Sequence, residues 1–160
     1  MMNLYEAIGC RHSVRKYTDR EVTEKLRGQI LSYFDKTSRL NDRIRVEAVI
    51  FDNTKKKADV HGLWKVDAPY YLAIYSDQEE GCERNAGYLM EQMVLYMTAK
   101  GLGTCYLGSV QPAQKVRGGK RCLMMVAFGY RRASSTVKAR WQSASRSMNS
   151  VFSRKKPESR

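Results

Sequence analysis

The sequence predicts one layered domain of the α+β or α/β type, on three observations. Segments of helical period and segments of strand period interleave along the chain. One helix carries a long apolar stripe: Ala86, Leu89, Met90, Met93, Val94 and Met97 recur with i, i+3, i+4, i+7 spacing. One strand, Leu123 to Phe128, is apolar on both faces. Such a strand belongs at the centre of a sheet, and the expected cover is helices on both sides of it.

The elements follow in order. Asn3 with Glu6 three residues on has the form of a helix start, and Leu4, Ala7 and Ile8 supply a short apolar face that ends near Gly9 or Cys10. Arg11 to Tyr17 reads as an extended polar segment. Thr23 caps a second helix with Leu26, Ile30 and Phe34 on its inner face. Val46 to Phe51 reads as a strand, Asp52 to Lys57 as a basic loop, and Tyr70 to Tyr75, introduced by Pro69, as a second strand. The striped helix is expected to begin at Asn85 and to stop at Gly101. Thr104 to Leu107 is a short strand or extended loop. From Ser134 onward the chain is polar with little periodicity.

The chain has 160 residues, which suits one domain. Its apolar runs reach about seven residues, far from the roughly 20 that span a bilayer. The first residues lack the basic and apolar regions of a signal peptide. The four cysteines form no C-x-x-C, which excludes a zinc ribbon, and they are expected as reduced thiols in a cytoplasmic protein. The net charge is +13, of which +8 falls in residues 131–160. That balance points to a polyanion partner, or to a phosphate-bearing cofactor together with a basic tail.

Arg11, Ser13 and Arg15 project to one side of an extended segment because side chains alternate there. Two guanidinium groups flanking a hydroxyl suit a phosphate. A solvated basic loop is the other reading of the same residues. Lys138 and Arg140 repeat the alternation, and taken alone are surface charge. Gly101 to Gly108 is glycine-rich but is neither a dinucleotide fingerprint nor a P-loop. Its glycines serve turns, or let backbone approach a flat ligand. His12 and His61 have no metal-ligand partner at helical or turn spacing. Cys105 has no identifiable histidine partner for a nucleophile.

At these residues the chain resembles a known family. Ala7-Ile8 through Arg11-His12-Ser13-Val14-Arg15-Lys16-Tyr17 resembles the opening motif of the FMN-dependent nitroreductases. Asn85 to Gly108 is similar to that family's central helix and its Gly-Leu-Gly-Thr-Cys-x-x-Gly loop. Val126 to Tyr130 followed by Lys138-x-Arg140 resembles its last core strand and the basic pair beyond. The resemblance implies an α+β three-layer fold, a mixed β-sheet covered by helices, in a homodimer. It implies that Arg11, His12, Ser13 and Arg15 hold the FMN phosphate and ribityl chain, with Lys138 and Arg140 meeting the phosphate. Tyr106, Leu107 and Gly108 then pass the flavin ring with their backbone, and Asn41 contacts the ring. The stretch 37–44 departs from the family pattern: Arg43 stands where glutamine is usual, and the following Pro and Trp are missing.

The implied activity is hydride transfer from NADH or NADPH through flavin to a nitroaromatic, quinone or similar small acceptor. No side chain need act as acid or base, because flavin N5 carries the hydride. The flavin domain is expected over 1–140 and a basic extension over 141–160. Tyr88, Leu95, Tyr96 and Ala99 widen the apolar surface of the striped helix and suggest a partner copy on its second face. In the tail, Trp141, Met148, Val151 and Phe152 would lie across that partner. Two other functions fit the sequence: a basic nucleic-acid-binding module, and an FMN-binding relative without turnover.

Overall fold

A computed structural model describes residues 2–63 and 65–132 of the chain. Helix α1 spans Leu4–Cys10 and opens with a reciprocal capping box. The Asn3 side-chain oxygen accepts from Glu6 N–H at 2.8 Å, and the Glu6 carboxylate accepts from Asn3 N–H at 2.9 Å. Helix α2 spans Glu24–Phe34, with the Thr23 hydroxyl accepting from Leu26 N–H and with Ile30 and Phe34 buried. Helix α3 spans Cys82–Ala99. It starts three residues before the expected Asn85, because Gly81 adopts φ +83 and turns the chain in with no side-chain cap. It ends as expected at Gly101, whose φ of +82 lets Leu102 N–H reach Met97 O at 3.0 Å.

The described residues also hold seven strands: β1 Val46–Asp52, β2 Val60–Gly62, β3 Tyr70–Ser76, β4 Gly103–Leu107, β5 Val110–Pro112, β6 Val116–Arg117 and β7 Lys120–Gly129. The main sheet runs β1-β3-β7-β4, with β6 paired to the start of β7. Every pairing between these strands is antiparallel. The one parallel contact among the described residues is a bridge from Ser13 to Thr104. Strand β7 lies between β3 and β4, which is the central position its two apolar faces require. The Gly118-Gly119 pair, both at positive φ, makes the two-residue turn between β6 and β7.

The two faces of the sheet are covered differently. Tyr70, Leu72, Ile74, Val126 and Phe128 pack against Ile30 and Phe34 of α2 and the α3 stripe. Tyr71, Ala73, Tyr75, Met125 and Ala127 pack on the other side against Val60 and Val110. These belong to the ribbon of β2 and β5, which pair with each other. The expectation of helices on both faces is corrected here: among the described residues the second cover is a two-stranded ribbon. Its strands are three residues each, too short to show a period in the sequence.

The second face of α3 is also partly covered from within. Tyr96 stacks on Tyr33 of α2 at 4.0 Å with the rings 7° from parallel. Tyr96 therefore has its partner inside this chain. Tyr88 remains exposed.

Candidate flavin site at the β4 edge

Strand β4 is an edge strand of the sheet, opposite β1, and the segment after α1 is laid along it. Val14 N–H donates to Thr104 O at 2.8 Å, and the Val14 side chain is buried. Gly103 permits this approach, because a Cβ there would lie 2.8 Å from the Val14 side chain. Further on, Tyr17 anchors the segment. Its hydroxyl lies 2.6 Å from Val14 O and 3.2 Å from Ala127 O, and its backbone bridges to Arg131. Burial holds the Tyr17 phenol protonated, well above its ordinary range.

With Val14 turned inward, alternation presents Ser13 and Arg15 outward, both exposed, and leaves Arg11 partly exposed. Among the described residues the side chains of Ser13 and Arg15 have no hydrogen-bond partner. His12 Nδ1 lies 3.1 Å from Cys10 O. A carbonyl only accepts, so Nδ1 is the donor in this contact.

A cleft of about 340 Å³ opens beside Arg15 along Cys105 to Ser109. Its far side is Leu63 and Val66, from the chain just beyond β2, held in place where the Ser109 hydroxyl donates to Leu63 O at 2.5 Å. Nothing stands within 4 Å of where a Gly108 Cβ would be, so at this one position the wall leaves backbone uncovered. Partly and fully exposed arginines with a hydroxyl at one end, and a cleft that includes the uncovered Gly108 backbone at the other, suit an elongated ligand with an anionic terminus and a flat ring. FMN has that form, and the donor set present fits it.

Two features here escaped sequence reasoning. Arg131 lines a smaller hollow with Cys10, Arg11 and His12. It directly follows the strand motif ending at Tyr130, so its place after that motif was the available signal. Glu91 of α3 accepts from the Tyr106 hydroxyl at 2.6 Å and faces Arg11 at 3.9 Å. It joins two expected site residues that lie far apart in sequence, and only the packing of α1 and β4 beside α3 reveals it. Burial first, then the Glu91 carboxylate, pushes the Tyr106 phenol up; Arg11 opposes weakly.

Asn41 is not brought to this cluster. Its backbone N–H donates to the Asn85 side chain in the first turn of α3, and its own side chain accepts from Arg43 N–H. Its expected ring contact therefore has no counterpart within the described part of this chain. Lys138 and Arg140 lie outside the described residues.

The fold and this edge define a class: three-layer α+β proteins that lay an N-terminal arginine motif along an edge strand of an antiparallel sheet. The family model described as "Putative TM nitroreductase" matches residues 3–160. The chain belongs to that nitroreductase family. Solved structures agree on the fold. A nitroreductase family protein of Clostridium difficile 630 is 17% identical with a TM-score of 0.68, over 83% of this chain and 87% of that one. One from Clostridium novyi NT is 18% identical with a TM-score of 0.69, over 82% and 86%. A "putative nitroreductase in complex with fmn" from Desulfovibrio desulfuricans is 21% identical with a TM-score of 0.67, over 84% and 91%. No curated protein matches the chain.

Proposed function

We propose that this protein is an FMN-dependent oxidoreductase that takes hydride from NADH or NADPH and passes it to a small acceptor such as a nitroaromatic or quinone. The observation that carries this reading is the single edge formed by Arg11, Ser13 and Arg15 leading into the Gly108 cleft. In it, Arg11, Ser13 and Arg15 bind the phosphate end, with Arg131 adding positive charge nearby and His12 lying beside it. Leu107 and Gly108 offer backbone to the ring, while Leu63 and Val66 exclude water from its edge. Lys138 and Arg140 complete the phosphate site. The flavin supplies the hydride chemistry.

The same reading makes the protein a homodimer. Leu4, Tyr5 and Ile8 of α1 and Tyr88 of α3 are exposed large apolar groups, on two helices that pack together. A second copy would remove this surface from water. Sedimentation should give about 37 kDa, twice the 18.4 kDa chain. Its four cysteines are all free, which suits a reducing cytoplasm. Among the described residues no helix is long and apolar enough to cross a membrane.

The test is a visible spectrum of purified protein followed by anaerobic titration with each nicotinamide. A yellow protein that bleaches with NADH or NADPH supports the reading. A flavin that neither nicotinamide reduces would make the protein a binder without turnover. A colourless protein that takes up no FMN, and binds nucleic acid in a steeply salt-dependent way, would overturn it.

A further inference from the structure

Glu91 has no packing role that accounts for its position. Its neighbours Met90 and Met93 fill the core, whereas the Glu91 side chain is 46% exposed and turned toward the β4 edge. The Tyr106 hydroxyl, donating from β4 at 2.6 Å, pins one carboxylate oxygen. The other oxygen faces Arg11 Nε at 3.9 Å. At that distance there is attraction without a hydrogen bond, enough to orient the guanidinium but not to lock it.

We propose that Glu91 is an internal competitor for Arg11: its carboxylate holds the guanidinium when no phosphate is present, and so sets how tightly the flavin phosphate is retained. The proposal rests on the reading of Arg11 as a phosphate ligand. A phosphate dianion offers Arg11 paired, charge-assisted bonds that the 3.9 Å contact lacks, so the phosphate wins. It wins against the lost attraction to Glu91 and against repulsion from a carboxylate that Tyr106 prevents from swinging away. Both charges are partly solvated, so the handicap is small, about two- to fivefold in affinity. Glu91 is thus a positioning residue that acts through Arg11 on one end of the ligand only.

The experiment titrates full-length protein freed of flavin with FMN and, separately, with riboflavin, which lacks the phosphate, following flavin fluorescence. Glu91→Gln keeps an oxygen for the Tyr106 hydroxyl and removes the charge. It should tighten FMN by about two- to fivefold and leave riboflavin unchanged. In an Arg11→Ala background the same substitution should no longer tighten FMN, because the two effects couple. FMN affinity unchanged or weakened in Glu91→Gln, an equal shift for riboflavin, or a gain that survives without Arg11 would each overturn the proposal. If Arg11→Ala itself leaves FMN affinity unaltered, the phosphate reading of Arg11 falls and the competitor role falls with it.

Discussion

The two faces of the sheet solve the same burial problem with different chemistry. On the helical face, Leu72, Ile74 and Phe128 meet the methionine-rich stripe of α3, and fit depends on apolar volume. On the ribbon face, small residues such as Ala73 and Ala127 alternate with tyrosines whose hydroxyls reach the covering chain. Tyr71 donates to Val66 O at 3.0 Å, and Tyr75 donates to Gln114 O at 2.8 Å. A helix has its backbone satisfied internally and can be held by its side chains alone. Short ribbons and loops expose carbonyls that need partners, so buried phenols suit them. The helical face therefore rests on apolar fit, while the candidate site grows out of the ribbon side and the adjoining β4 edge.

The comparison breaks if the faces cost the same to disturb. Leu72→Ala on the helical face should lose about 2–5 kcal/mol in urea unfolding while the folded fraction still binds FMN normally. At the β4 edge the effect should reverse. Arg11→Ala and Arg15→Ala should each weaken FMN by roughly 1.5–3 kcal/mol, about tenfold or more, with the unfolding midpoint unchanged. Substituting Lys55, Lys56 or Lys57 should do neither. Gly103→Ala sharpens the contrast, because it pushes Val14 off β4. It should cost about 1–3 kcal/mol of stability and also release flavin, as neither pure class of variant does.

The smallest effect is on the ribbon face. Tyr75→Phe should cost about 0.5–1.5 kcal/mol by removing the hydrogen bond to the Gln114 carbonyl. Alkaline titration reports on the same tyrosines together. Burial raises the phenols of Tyr71 and Tyr75, as it does those of Tyr17 and Tyr106. Above about pH 10 the unfolded chain loses these protons and the folded chain keeps them. Their contribution is complete below that pH and falls away as pH rises through the folded values. Tyrosinate absorbance should therefore lag behind that of the urea-unfolded protein, then rise steeply as the fold is lost.

Elements written in local chemistry were legible in the sequence. The Asn3–Glu6 capping box, the Thr23 cap, the α3 stripe and the two-faced β7 each depend on residues a few positions apart. The ribbon was not legible, because three-residue strands such as Val60–Gly62 have no room for a pattern. The β6–β7 turn does carry a sequence signal, the Gly118-Gly119 pair. At the site, the alternation of Arg11, Ser13 and Arg15 was readable. Their juxtaposition with Tyr106 through Glu91 was not, since a surface carboxylate on an amphipathic helix looks like any other solvated one.

The backbone hydrogen bond from Val14 to Thr104 has a consequence in time rather than in energy. The Val14 amide should be slow to exchange with deuterium, while the amides of His12 and Ser13 exchange readily. The arginine segment lies between α1 and the Tyr17 anchor, so a local opening there would part no pair of the main sheet. The departure rate of a ligand held there then follows a local opening of a few residues. Mutations deep in the α3 core, however damaging to the melting temperature, should leave that rate alone.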